Sequence, residues 1–301
     1  RMNIVMENGC SAEQLSQSNY DFAFYGDIID ERCNASIQHI NSVSKLKFNV
    51  TYIADQYTIR FNDVRCIVDD VDDLITGFGI KQQSKVILDC TSLGVAEMLI
   101  LIQSLYNLNC CEFDVLYIEP HHYYRPSQNF LERRRFSLSK TTAGFIAIPG
   151  QALSFESNDK AVVLCGFEGE RVGRAFEEVA LQGKNCQLIF GVPPYTIGWD
   201  MNSYSNHLSI IETNNISPEF YYCAAANPLA VYEKLELIYR GVEDEQKLFI
   251  LPLGTKPMSL GACLFKVYAN KENISILYDH PVRSDNRSSK VVKWNLYRII
   301  I

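Results

Sequence analysis

The sequence has no apolar run of the 18 or more residues that a membrane-spanning helix needs. Its longest candidate, residues 93–106 (LGVAEMLILIQSLY), is broken by Glu97, Gln103 and Ser104 and reads as a helix buried on most sides. The opening residues, RMNIVMENGC, hold no apolar core of signal-peptide length. Basic charge is not in surplus: 28 Lys and Arg face 35 Asp and Glu, a net charge of −7. That balance argues against a broad nucleic-acid surface and against attraction to an anionic membrane. No CxxC pair, GxxxxGK[ST] loop, GxGxxG fingerprint, GxSxG elbow, HExxH pair or kinase motif set occurs. Ordinary NAD binding and the common hydrolase, protease and kinase chemistries therefore have no motif behind them, and the sequence leaves any cofactor unknown.

What is present is the composition of a globular protein: 301 residues, 47% hydrophobic and 21% charged. Ten cysteines are spread along the chain, several inside apolar runs such as VILDC and VVLCG. Thiols so placed are expected to be buried and reduced, which implies an intracellular, cytoplasmic protein whose cysteines serve packing.

Short apolar strands alternate with amphipathic helices. Strands are expected at residues 22–25, 47–53, 85–88, 112–118, 161–165, 187–190, 247–251 and 274–278. Between them, Val172, Ala175, Phe176, Val179 and Ala180 follow helical spacing. Asn227-Pro228 has the form of an N-cap followed by a first-turn proline. Continuous apolar strands separated by helices indicate an α/β fold, Rossmann-like, with a parallel sheet covered on both faces.

An internal repeat refines this. FAFYGDIIDER from Phe22 parallels VVLCGFEGER from Val162, pairing Gly26 with Gly166 and Glu31-Arg32 with Glu170-Arg171. KVILDCTSLG…LYIEP parallels KLFILPLGTK…LYDHP, pairing Leu116-Tyr117 and Pro120 with Leu277-Tyr278 and Pro281. Two matches in the same order imply two Rossmann-like halves, 1–140 and 141–301, related by duplication. The alternative is one large sheet whose βα units merely look alike. The boundary falls in the irregular stretch 127–158, which carries Arg133-Arg134-Arg135.

In an open parallel sheet, ligands bind beyond the carboxyl ends of the strands. The turn Asp89-Cys90-Thr91-Ser92-Leu93-Gly94 offers an Asp for a ribose hydroxyl and hydroxyls for phosphate; equally, Asp89 or Thr91 could cap the helix that follows. The turn Gly254-Thr255-Lys256 combines close backbone approach, a hydroxyl and a positive charge, all suited to phosphate. Arg32 and Arg171 sit where the helix dipole disfavours cations. Their repetition implies a shared task, either an ion pair at the interface of the halves or a grip on phosphate, with Glu170 beside it. His121-His122 follows a strand, but neighbours in a strand point to opposite faces, which disfavours one metal site. The run Asp69–Asp73 reads as an acidic helix start, and Arg133–Arg135 with Lys140 as a solvated basic cluster.

The Asp89-x-Thr91 and Gly254-Thr255-Lys256 turns resemble the ligand loops of CARF domains, Rossmann-like sensors of cyclic oligonucleotides in prokaryotic antiviral systems. A duplicated unit is similar to SAVED domains, which resemble two fused CARF units. The resemblance implies a sensor or regulatory subunit of an antiviral defence system. A small phosphate-bearing ligand would lie between the halves, against Asp89, Thr91, Ser92, Gly254, Thr255 and Lys256, with Arg32, Arg171 and Glu170 flanking. A protein partner or a homodimer would receive the signal. Two other readings stand beside it. One is a nucleotide-processing hydrolase using Glu97, Glu119, Glu170 or His121, since YDFAFYGDIIDER resembles the first strand and loop of TIR-like NAD hydrolases. The other is a non-catalytic subunit of a complex, whose mark would be Arg32 and Arg171 buried against acidic partners.

Overall fold

A computed structural model of the chain describes residues 2–16, 18–123, 138–151 and 154–301. Two compact units divide it: Arg1–Tyr123 with Asp285–Ile301, and Tyr124–Ser284. Arg133–Arg135 lie outside the described residues.

The first unit opens with β1 (Asn3–Gly9), β2 (Tyr20–Tyr25), α1 (Glu31–Val43) and β3 (Ser44–Ile53). A hairpin of β4 (Thr58–Phe61) and β5 (Val64–Ile67) turns through Asn62-Asp63, with Asn62 left-handed at φ 51°. Next come α2 (Val71–Gly77), β6 (Val86–Asp89), α3 (Val95–Asn107) and β7 (Glu112–Tyr123). The last strand of the chain, β15 (Ser288–Ile300), returns to this unit. The sheet runs β1-β15-β7-β6-β2-β3-β4-β5. Only β7-β6-β2-β3 is parallel; β15, β1, β4 and β5 are antiparallel additions. The sheet is thus mixed, where a wholly parallel one was expected.

The second unit contains β8 (Ser139–Thr142), β9 (Lys160–Cys165), α4 (Gly169–Glu178), β10 (Cys186–Gly191), α5 (Trp199–Thr213) and β11 (Tyr221–Cys223). It continues with α6 (Pro228–Tyr239), β12 (Leu248–Pro252), α7 (Lys256–Ala269), β13 (Ile274–Ile276) and β14 (Pro281–Arg283). Its main sheet is fully parallel, in the order β11-β10-β9-β12-β13. Numbered along the unit this is 3-2-1-4-5, the Rossmann order 3-2-1-4-5-6 without its sixth strand. Ala161–Cys165 and every residue of β12 are buried, as expected for strands with helices on both faces. α7 buries ten of its fourteen residues, which explains why it lacks a clear polar stripe. β8 and β14 form a separate two-stranded ribbon.

Four parallel strands of each unit correspond in order, β2 with β9, β3 with β10, β6 with β12 and β7 with β13, while β11 faces no parallel counterpart because β3 pairs with antiparallel β4. Three local details recur. Asp21 accepts the backbone N–H of Lys85, and Asp159 that of Lys247, so a carboxylate ties strand one to strand four at the amino edge. Gly26 and Gly166 close strand one, and a Cβ on either would stand 2.4 Å from a carbonyl oxygen of the loop after strand four, at Ser92 or at Leu253. Arg32 and Arg171 both reach from the first helix toward the fifth strand, Arg32 to the Ile118 carbonyl within β7 and Arg171 to the Asp279 carboxylate just beyond β13.

Sequence boundaries at 140 and 141 place the whole C-terminal segment in the second half. β15 instead pairs along nearly the full length of β7, which puts Asp285–Ile301 in the first unit. All ten cysteines are free thiols, and seven of them are buried. Among the described residues no helix is long and apolar enough to cross a membrane.

Candidate functional site

In the first unit the residues of the Asp89 turn face inward. Asp89, Thr91 and Ser92 are all buried. Asp89 Oδ2 accepts from Ser36 Oγ at 2.7 Å and from Ser92 Oγ at 2.5 Å, while Oδ1 accepts from the Thr91 N–H. Ser92 Oγ accepts in turn from the Gly26 N–H, and Thr91 Oγ1 from the Ile118 N–H. The turn therefore locks β2, β6 and β7 together at their carboxyl ends. Neither Asp89 nor Thr91 caps α3, whose N-cap is Gly94. A ligand could reach these atoms only by displacing internal hydrogen bonds.

Burial pushes the Asp89 carboxyl above its ordinary value, and the donors around it oppose that only in part. A carboxyl raised on folding stabilises the protein below its unfolded pKa and loses that contribution as pH rises through the folded value. Asp89→Asn removes this loss. The stability difference between variant and wild type should therefore move in the variant's favour from pH 4 to pH 7, as read by urea titration at each pH. A constant difference would mean that Asp89 does not titrate on folding.

Arg32 is also enclosed. Its guanidinium donates to Asp30 Oδ2 at 2.9 Å, to Ser288 Oγ at 2.7 Å and to the Ile118 carbonyl at 3.1 Å. Asp30 also caps α1 by accepting from the Cys33 N–H. Burial would push the Asp30 carboxyl up, but Arg32, Ser288 and Cys33 outweigh it and hold the group well below the usual carboxylate range. In the second unit Arg171 forms a two-pronged pair with Asp279, at 2.8 and 2.6 Å. Glu168 Oε2 lies 3.6 Å from the same guanidinium. Each arginine thus finds its carboxylate inside its own unit, and not at an interface of two halves. The partners are Asp30 and Asp279; Glu31 and Glu170 are exposed. The repeated task is a brace from the first helix to the fifth strand.

The other acid–base candidates are scattered. Glu97 Oε1 accepts from the Tyr52 N–H, and buried Glu119 accepts from Asn295. Burial raises the Glu119 carboxyl. His121 and His122 are exposed and their rings touch, with centroids 3.9 Å apart, although strand alternation predicted opposite faces. They lie at the far end of β7, next to the stretch where its register with β15 shifts. The acidic run Asp69–Asp73 forms a helix start, with Asp72 and Asp73 in the first turn of α2. Among the described residues no three of His, Cys, Asp and Glu come together as a metal site.

The carboxyl edge of the second sheet is arranged differently. Gly254, Thr255 and Lys256 are partly exposed. Thr255 is the N-cap of α7: its Oγ1 accepts from the Met258 N–H and donates to the Ala225 carbonyl at 2.6 Å. The Tyr195 hydroxyl donates to that same carbonyl. The loops after β10, β11 and β12 therefore converge on one atom, beside the starts of α6 and α7. Gly254 packs with its Cα side against Cys165 and Met258, where a Cβ would lie 3.2–3.4 Å from its neighbours. Sequence reasoning selected this turn but gave no sign of Ala225 or Tyr195, which carry no motif and gain their place only through the strand order.

No family model matches the sequence, and no curated protein matches it. Among solved structures, a ketoreductase domain from the bacillaene assembly line aligns over 88% of this chain and 70% of its own, at 12% identity and a TM-score of 0.25. A likeness that weak assigns neither ligand nor activity. The α/β, Rossmann-like character rests on the strand order of the sheets themselves.

Proposed function

We propose that this chain is a nucleotide-binding regulatory subunit of the CARF/SAVED kind, acting in the cytoplasm as part of an antiviral defence system. It binds a phosphate-bearing ligand at the carboxyl edge of its second sheet and passes the bound state to a protein partner or a second copy of the chain. The observation that carries this reading is the placement of Gly254-Thr255-Lys256. The turn follows strand four of a 3-2-1-4-5 sheet, beside the switch point between β9 and β12. It opens a fourteen-residue helix with a threonine cap, and it puts a lysine at the positive end of the helix dipole. A cation there is unfavourable by itself and suits an anion. Of the other residues expected at the ligand only Arg171 belongs to this unit, where its pair with Asp279 braces the same sheet; Asp89, Thr91, Ser92 and Arg32 brace the strand ends of the first unit.

The recurrent braces also support descent of both units from one duplicated α/β unit: Asp21 with Asp159, Gly26 with Gly166, Arg32 with Arg171.

Calorimetry against ATP, NAD and cyclic di- and oligonucleotides tests the binding. At least one compound should bind saturably, and Lys256→Ala should weaken it about tenfold, the worth of one charge-assisted contact of roughly 1.4 kcal/mol. The variant should remain folded, with a thermal midpoint within a few degrees of wild type, about the size of one helix-dipole contribution. If Lys256→Ala leaves every measured affinity intact, the site is wrongly placed. Turnover of any compound in the same incubations would favour the hydrolase reading instead.

A further inference from the structure

A cleft lies in the first unit, at the amino ends of its parallel strands and so on the edge opposite to the Asp89 turn. It holds about 410 Å³, opens to solvent, and is lined by Ser18, Tyr20, Lys85, Glu112, Asp114 and Arg298 among others. Its charged lining comes from adjacent strands. Lys85 precedes β6, Glu112 and Asp114 stand on β7, and Arg298 stands on β15. The register aligns Arg298 with Asp114, and Ile87 with Asp114, so the strand carrying the carboxylates runs between the two carrying the cations.

The hydrogen bonds show which of these groups are committed. Asp114 is nearly buried; it accepts from the Tyr20 hydroxyl at 2.6 Å and from Arg298 Nε and Nη2 at 3.2 and 3.4 Å. It is the fixed base of the cleft. Arg298 also approaches Glu112, with Nε 3.4 Å from Oε1. Those contacts use Nε and Nη2 of Arg298. Glu112 is 59% exposed. Lys85 is exposed too, and its own hydrogen bonds run through its backbone, from its N–H to Asp21 and into its carbonyl from Asp21 and Phe22.

The cleft thus presents a guanidinium edge and a carboxylate side by side, with an ammonium two strands away. Neighbouring strands are about 4.8 Å apart, so the backbones that carry the two cations run about 10 Å from each other, within reach of two long side chains. The four charges sum to zero, which disfavours a polyphosphate, and a purely apolar guest would desolvate them without replacing their water. The complement is a small molecule with a carboxylate and an ammonium at one end and a second carboxylate at the other. We infer that this cleft binds an acidic amino acid: its α-carboxylate on Arg298, its α-ammonium on Glu112 and its side-chain carboxylate on Lys85. The volume holds a molecule of that size with room for water.

Calorimetry with L-glutamate, L-aspartate, L-glutamine, glycine and glutarate tests this on the full chain. Glutamate or aspartate should bind saturably, at least tenfold tighter than glutamine, glycine or glutarate. Lys85→Ala should abolish the preference for glutamate over glutamine. Glu112→Gln should bring glutamate down to the level of glutarate. Both substitutions are at exposed positions and should leave the thermal midpoint unchanged. The inference is overturned if no compound of the panel binds saturably, if glutamate and glutamine bind alike to the wild type, or if both variants keep the wild-type ranking. Because the cleft and the Gly254–Lys256 turn belong to different units, Lys256→Ala should not alter these affinities, and failure at one place leaves the other standing.

Discussion

Arg32→Ala is expected to destabilise the protein by about 3–5 kcal/mol, the cost of removing one partner of a buried ion pair. The substitution leaves Asp30 enclosed without its cation, and it leaves the Ile118 carbonyl and the Ser288 hydroxyl each short of a donor. It also loosens the link from α1 to the two central antiparallel neighbours, β7 and β15. Arg32→Lys should recover only part of the loss, because one ammonium cannot reproduce the forked geometry that serves three acceptors. The double variant Asp30→Asn with Arg32→Met should be closer to wild type than Arg32→Ala, since neither change then strands a charge.

The pH dependence follows from the direction of the Asp30 shift. Its carboxyl is held below the usual range in the folded state. Such a group stabilises fully above its unfolded pKa, and the contribution is lost as pH falls through the carboxylate range toward the folded value. Wild type should therefore lose more stability than Arg32→Ala between pH 5 and pH 2. Urea midpoints across that interval measure both effects. If Arg32→Ala lies within 1 kcal/mol of wild type at pH 7, the brace is not structural and Arg32 is free to serve a ligand.

The second large effect concerns the glycines that close strand one. Gly166→Val should cost about 1–3 kcal/mol or more, and Gly26→Val a similar amount. In each case the new Cβ would fall 2.4 Å from a backbone carbonyl oxygen, of Leu253 or of Ser92, and a backbone atom cannot swing aside as a side chain can. The loop after strand four has to retreat. At Gly166 that loop leads directly into Gly254-Thr255-Lys256, so the substitution should also weaken binding of any ligand held there. At Gly26 it leads into the Asp89 turn, where the Ser92 hydroxyl would lose its bond to the residue 26 N–H. Chemical denaturation of both variants should give matched losses, and binding measurements should show a loss for Gly166→Val alone. Full stability in either variant would mean that the close approach is relieved at no cost.

Much of the parallel core could be read in advance. Residues 161–165 and 248–251 are apolar without interruption, a pattern tolerated only where both faces of a strand are covered, and both lie in the buried sheet of the second unit. Asn227-Pro228 announced the start of α6 through chemistry that is local to the backbone, and Asn227 caps it by accepting from the Ala230 N–H. The antiparallel additions were not legible. β15 (SSKVVKWNLYRII) is rich in β-branched and aromatic residues from Val291 on, but its partner β7 lies about 165 residues away in sequence, and it is that pairing that was not legible. No local preference encodes such a pairing.

The same division holds for the candidate sites. By itself, the sequence determined the alternation of strands and helices, the turns after strands four, and the paired Gly and Glu-Arg positions, because these depend on residue type and short spacing. Only the tertiary structure decided what those residues do. Burial turned Asp89, Thr91 and Ser92 from presumed ligand contacts into an internal lock, and it gave Arg32 and Arg171 to Asp30 and Asp279. It left Gly254–Lys256 partly exposed, with the Thr255 hydroxyl committed to Met258 and Ala225. It also assembled the cleft of Lys85, Glu112, Asp114 and Arg298 from three strands that the sequence keeps far apart. A polar side chain is free to bind only if folding has not already satisfied it, and that depends on partners that no local stretch of sequence contains.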